Sequence, residues 1–344
     1  MTSTRSLLLA SLGVALGVRL PAASEMPSYV HVLAHGQAGV WRIETASGDR
    51  QHLELSDYPE VMTVTHAVVT SWGELLFGAV NATQQWAIFA YNPGTGERAG
   101  VSGPIDGYGA VVRGSGPGFV PGISGLTLAP WGGLYALRAF QGPVHVSLAT
   151  GDRTVVSQSA EPPVGPSPPL ARPVDVAVES ASSLLVMDEY EGLVRIRLED
   201  GARVMAYPST LFIEPPVRFD RLRDGRIVHL VPGTDALFVF DPRGPADAPL
   251  SGRGRGGGPA FGALGDVAVA PGGPVLVFDV ADPAVYAVDP STGDRTLVSG
   301  AARGRGPALP TALDRPTLAV FTAESVPPDA SSRPVRRRLK RLAD

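Results

Sequence analysis

The residues with chemistry to offer recur at matching places in a repeated pattern. Asp175 and Asp188 stand in "RPVDVAVESASSLLVMDEYEGLVRIRLEDGAR", and Asp266 and Asp279 stand at the same places in "LGDVAVAPGGPVLVFDVADPAVYAVDPSTGDR", 91 residues further along. Weaker copies bring His66, Gly125, Arg218 and Thr317 to the place of Asp175, and Arg138 to the place of Asp188. Carboxylates gathered with an imidazole and guanidinium groups can hold a hard cation through oxygen ligands or orient a polar ligand. An aspartate ahead of a strand also caps a turn through backbone N–H groups, and duplication alone would copy it. For Asp188 and Asp279 the turn role is the simpler reading. Asp175 and Asp266 are balanced between the two, and they are the metal candidates.

Other catalytic signatures are missing. There is no Gly-x-Ser-x-Gly elbow and no His-Glu-x-x-His pair. The chain has no cysteine, which excludes disulfides, thiolate nucleophiles and cysteine-ligated zinc. The six histidines are scattered, and Trp41 and Trp86 fall in strands where packing is their simpler use.

These residues need a scaffold that brings distant repeats to one place. A turn marker Gly-Asp-Arg, or a variant of it, recurs at Gly48, Gly96, Gly151, Gly201 and Gly293, with a degenerate "DPRG" near Gly244. Between markers lie four short apolar runs, such as "DVAVA", "VLVFD", "VYAVD" and "RTLVS", whose alternation and β-branching read as strands. The 41 glycines and 33 prolines supply the turns and disfavour helix. A period of about 43 to 55 residues with four strands is that of a propeller blade.

The two chain ends complete the count. After "RTLVSG" comes a lone first strand, "RPTLAVF", whereas "YVHVLAH", "GVWRIE" and "RQHLEL" near the start supply a second, third and fourth strand. The expected fold is therefore all-β: a six-bladed β-propeller of four-stranded blades, its ring closed by one blade shared between the N- and C-terminal strands. Three glycine-rich stretches, "RGSGPGF" from Arg113, "RGGGPAF" from Arg255 and "RGRGPAL" from Arg303, link a fourth strand to the next first strand. They read as punctuation between blades, with Phe119, Phe261 and Leu309 as anchors and the arginines on the face that carries the aspartates.

The pattern "DVAV…G…VLVFD…VYAVD…TGDRTLVS" resembles the NHL and SMP-30/gluconolactonase group of six-bladed propellers over residues 29 to 322. The resemblance implies two kinds of activity: partner binding, or calcium-dependent lactone and ester hydrolysis. The lactonases of that group hold calcium with a glutamate, an asparagine and an aspartate at the starts of inner strands. Here Arg315, Pro316 and Thr317 stand where "EGP" would be, and no matching "NG" pair occurs.

The chain ends carry separate signals. Arg5, an apolar stretch from Leu7 to Val18 and small residues at Ala22 and Ala23 read as a secretory leader over residues 1–26. The propeller is expected over 27–323 and a basic, disordered tail over 324–344. Residues 329–344 hold six basic and two acidic side chains, which leaves the rest of a chain of formal charge -4 at about -8.

The leading expectation is a secreted or periplasmic, non-enzymatic, monomeric propeller without a transmembrane segment or nucleic-acid partner. It would bind a protein, peptide or carbohydrate on the channel face through Asp175, Asp266, His66, Arg218, Arg138, Asp188 and Asp279. The alternative is a divalent-metal-dependent lactonase or hydrolase using calcium on Asp175 and Asp266.

Overall fold

The structure is a computed structural model that describes residues 26–34, 39–55, 61–81, 84–104, 113–159, 164–165, 167–213, 216, 218–231, 233–244, 247–270, 273–311 and 317–320. The expected leader, apart from Met26, and the basic tail lie outside them. Six four-stranded antiparallel sheets form the six blades.

Blade 1 is made from both ends of the chain: β1 (Tyr29–Ala34), β2 (Gly39–Glu44) and β3 (Arg50–Glu54) are joined by β24 (Thr317–Val320) as the inner strand. Blade 2 holds β4 (Val61–Val69), β5 (Leu75–Asn81), β6 (Trp86–Tyr91) and β7 (Arg98–Ser102). Blade 3 holds β8 (Ile123–Leu128), β9 (Leu134–Arg138), β10 (Gly142–Val146) and β11 (Arg153–Val155). Blade 4 follows with β12 (Pro173–Ser180), β13 (Ser183–Asp188), β14 (Gly192–Arg197) and β15 (Arg203–Pro208). Blade 5 comprises β16 (Arg218–Arg221), β17 (Ile227–Leu230), β18 (Leu237–Phe240) and β19 (Ala248–Ser251). Blade 6 comprises β20 (Leu264–Val269), β21 (Val275–Asp279), β22 (Ala284–Val288) and β23 (Arg295–Ser299). The closure of β24 on β1 pairs Val30 with Val320 and Leu33 with Thr317.

One blade cannot bury either of its faces alone, so the core lies between blades. Val30, Val32, Trp41 and Ile43 of blade 1 pack against Leu276, Phe278 and Val285 of blade 6, while Leu33 and Val40 pack against Val64, Phe77 and Phe89 of blade 2. The split blade is thus embedded on both sides. Because inner strands run in one sense, the linkers between blades and the turns from second to third strands share one end of the ring, called the loop face below. Turns from first to second and from third to fourth strands share the other, the turn face.

The glycine-rich linkers form a repeated clasp. Arg295, after the Gly293 marker, donates from Nε to Pro259 O (2.5 Å), from one terminal nitrogen to Ser251 Oγ and Arg255 O, and from the other to Gly256 O and Gly258 O. Arg153 does the same to Pro117, Ser102, Arg113, Gly114 and Gly116, and Arg50 to Pro307, Ser299, Gly300, Arg303 and Gly304. Arg203 fills the equivalent place in the linker before blade 4. A linker that curls its carbonyls around a guanidinium must approach the next blade's turn closely. Accordingly Gly256 has φ +73°, and a Cβ there would lie 1.9 Å from Gly293 O.

Phe119, Phe261 and Leu309 anchor these linkers as expected, buried between blades. Two of the linker arginines hold neighbouring blades together. Arg113 donates to Gly100, Leu148 and Ala149 carbonyls, and Arg303 to Leu297, Thr45 and Ala46 carbonyls, so both join adjoining blades. Between blades 4 and 5 an aromatic group of Tyr207, Phe212 and Phe240 replaces the clasp, beside buried His229, whose Nε2 is 3.0 Å from Asp247 Oδ1.

Candidate functional site

The inner strands enclose a channel cavity of about 240 Å³. Its lining includes His66, Asp175, Arg218 and Asp266, four of the residues that repeat alignment brings together from four blades. Asp220 joins them. No repeat copy foretold it, because the equivalent positions carry Thr127, Ala177 and Ala268, also in the lining. Toward the other end Val69, Leu128 and Val269 stand half-buried on the wall, and the Asp220 carboxylate reaches the Val269 N–H there.

A register shift at the start of β12, between Pro173 and Asp175, and its twin in β20, between Leu264 and Asp266, set the aspartates at the mouth. Asp175 accepts Val176 N–H in its own blade (2.8 Å) and Phe219 N–H from blade 5 (3.2 Å). Asp220 repeats the bridge one blade on, accepting Arg221 N–H and, at 2.7 Å, Val269 N–H of blade 6. Asp266 accepts Val267 N–H, and Arg218 Nε lies 3.6 Å from its Oδ1.

Burial pushes Asp175 up to about 7, opposed by the Arg218 charge and the Phe219 amide. Burial also raises Asp220 to about 6, opposed by the Val269 and Arg221 amides. Around neutral pH the mouth therefore carries carboxyl groups that trade protons with their surroundings.

Three of the sequence candidates stand outside this cavity. Asp188, fully buried, accepts the N–H groups of Arg172, Tyr190 and Glu191. Asp279 accepts those of Gly262, Ala263, Ala281 and Asp282. Both carboxylates bind the turn from second to third strand to the incoming linker. Arg138 is also buried, donates to Gln158 Oε1 at 2.8 Å, and has its pKa lowered by burial.

The donor set does not suit calcium. Among the described residues no group of three or more histidine, aspartate or glutamate side chains is arranged to hold a metal ion. Each Asp175 oxygen accepts a backbone N–H, and Arg218 brings a positive charge to Asp266. A hard cation asks for six to eight oxygen ligands, and the arginine opposes it.

Around the polar mouth the loop face exposes apolar side chains. Phe140 and Tyr190 occupy the same place in the second-to-third-strand turns of blades 3 and 4, 58% and 60% exposed. Val120, Leu211 and Ile213 are exposed on the linkers beside them. Gln141 donates to Val120 O, and Ser209 donates to Tyr190 O, which ties linkers and turns together. Phe140 also holds a left-handed backbone, φ 60°, which a bulky side chain rarely adopts.

No protein family and no curated protein matches the chain. Solved structures do. A chain from a crystal structure of a nidogen/laminin complex superposes with TM-score 0.58 at 11% identity, over 86% of this chain and 100% of that one. A streptogramin B lyase structure gives 0.50 at 11% identity, over 82% of this chain and 85% of that one. TolB from Acinetobacter baumannii gives 0.52 at 11% identity, over 84% and 66%. At such identities the likeness carries the propeller fold and nothing finer. Among the described residues no helix is long and apolar enough to cross a membrane.

Proposed function

We propose that the chain is an exported, non-enzymatic propeller of the NHL and SMP-30 type that binds a protein partner on its loop face. One observation carries this reading. Phe140 and Tyr190 project into solvent from equivalent turns of neighbouring blades, with Val120, Leu211 and Ile213 around them, beside a polar channel mouth. Exposed apolar clusters with polar surroundings mark protein-binding surfaces. The anchors would be the two aromatic rings, and Arg218 with Asp175 and Asp266 would orient a polar group of the partner.

A peptide or carbohydrate reaching the mouth would use the same charged group. A calcium-dependent hydrolase is the less favoured reading, because the carboxylates are engaged by backbone amides and faced by Arg218. The test uses the mature chain immobilised against an extracellular or envelope extract, alongside Phe140→Ser/Tyr190→Ser. A protein retained by the native chain and lost from the double variant supports the reading. Calcium-dependent lactone hydrolysis, with a melting temperature raised by calcium and lowered by EDTA, would overturn it.

A further inference from the structure

The clasps between blades show what a buried guanidinium asks for. Arg203, 6% exposed, donates to five oxygen atoms around it, and Arg153, 8% exposed, is surrounded in the same way. Arg138, the last residue of β9, is buried more deeply, at 4% exposed, and is served far worse. Its one acceptor among the described residues is Gln158 Oε1, a neutral amide oxygen, and its Nε meets none. Burial lowers its pKa, and no neighbouring carboxylate opposes the shift. Arginine is rarely buried this deeply without a countercharge or a full set of acceptors, because an uncompensated buried charge is strongly destabilising.

Blades 4 and 6 show what belongs at this place. There the last residue of the second strand is Asp188 or Asp279, opposite Pro173 or Leu264 as Arg138 is opposite Ile123. Asp188 accepts Arg172 N–H at 2.8 Å, and Asp279 accepts Ala263 N–H at 3.1 Å. Gly122 holds that linker position in blade 3. Ala139 N–H donates to Gly122 O (3.0 Å), as Glu189 N–H donates to Arg172 O (3.0 Å) and Val280 N–H to Ala263 O (2.7 Å). With arginine in place of aspartate, the Gly122 N–H has no side-chain acceptor among the described residues. Blade 3 thus keeps the amide that binds a carboxylate elsewhere and adds a guanidinium, but supplies no carboxylate. Val120 on the linker and Phe140 on the turn flank the place, 62% and 58% exposed.

We propose that Arg138 and the Gly122 N–H form a carboxylate-binding site between Phe140 and the linker from Val120 to Gly122, filled by a carboxylate of the bound partner. The guanidinium donates from Nε, the Gly122 amide donates beside it, and Gln158 holds the far side of the guanidinium. The partner's carboxylate then takes the part that Asp188 and Asp279 play within their own blades. One anchor of the loop face is therefore apolar, at Phe140, and its neighbour requires an anion. Assigning the carboxylate to a protein rests on the partner-binding reading above, whereas the site itself is tested with small carboxylates alone.

The full chain, with its arginines labelled with nitrogen-15, gives the measurement. The Nε–H resonance of Arg138 is identified by its loss in Arg138→Gln. It is followed on addition of N-acetylglutamate α-amide, which carries a side-chain carboxylate, or of N-acetylalanine, which carries a terminal one. At least one of the two is expected to move the resonance downfield to saturation, at a half-saturating concentration about tenfold or more below that of sodium chloride. N-acetylglutamine α-amide, the neutral counterpart, should leave it in place. The tighter of the two carboxylates tells whether an acidic side chain or a chain terminus is recognised. The Nε–H resonances of Arg153 and Arg203, held by linker carbonyls, report that the blades of each variant remain folded. No saturable shift with either carboxylate, or an equal response to chloride, overturns the proposal. Glu161 lies outside the described residues. A shift that appears only in Glu161→Gln would assign the guanidinium to a carboxylate of its own chain and equally overturn it. A saturable shift together with calcium-dependent hydrolysis would overturn the partner-binding reading and leave this site standing.

Discussion

At the scale of single residues, two groups of buried titratable side chains give the propeller opposing responses to pH. Asp175 and Asp220 are raised to about 7 and about 6 by burial, so between about pH 4 and 7 the folded chain holds protons that the unfolded chain has lost. Each raised carboxyl makes stability fall as pH rises through that window, by up to about 1.4 kcal/mol per pH unit. Asp175→Asn should flatten the fall in melting temperature between pH 5 and 8, whatever it does to the absolute value. His31 has the opposite sign: burial, then the Arg42 charge, lowers it to about 3, so its contribution is lost as pH falls below about 6.5. Phe140 carries a second residue-scale prediction. Its left-handed backbone costs about 1 kcal/mol in a non-glycine residue, and exposure of the ring contributes nothing to the core. Phe140→Gly should therefore raise the melting temperature by a few degrees while removing partner capture, which separates a binding residue from a structural one. Asp175, His66, Arg218 and Asp266 were legible in the sequence because duplication keeps their register. Asp220 was not, since it replaces a small residue in one copy alone, and the exposure of Phe140 and Tyr190 depends on packing that spacing does not encode.

At the scale of elements, the arginine after each marker and the linker it enters explain why glycines and prolines recur between blades. The sequence showed the linkers as punctuation, and their period located the blades correctly. It did not show that the carbonyls bind a guanidinium, because the arginine lies some 36 to 40 residues away, in the next blade's turn. The partners of Arg113 and Arg303 were hidden for the same reason: both bond to carbonyls of adjoining blades that only the folded ring brings near. Gly256→Ala should cost about 3 kcal/mol, since its Cβ would collide with Gly293 O and its backbone is left-handed. Gly254 shares the left-handed backbone, φ +81°, but its Cβ would meet nothing within 4 Å, so Gly254→Ala should cost only about 1 kcal/mol. Chemical denaturation of the two variants side by side checks the difference. Equal losses would mean that the close approach to the neighbouring turn is not what requires glycine.

At the scale of the whole molecule, the ring divides its chemistry between two ends. The loop face combines a charged mouth with the exposed rings of blades 3 and 4, and the turns of the other face carry side chains of both charges, among them Asp289, Asp294 and Arg223. Ring closure by a shared blade was legible from the unequal strand counts at the two chain ends, and β24 pairs with β1 as that count requires. Which side chains the loop face leaves in solvent was less legible, because repeat alignment identifies equivalent positions without saying which of them the ring exposes. The central claim is that a protein partner is held on the loop face. Its most direct measurement is photo-crosslinking with benzoylphenylalanine placed at position 140, 190 or 131, in the presence of an extracellular or envelope extract. One shared crosslinked partner is expected from positions 140 and 190, and no such product from position 131. A partner captured from position 131 and not from the other two would contradict it.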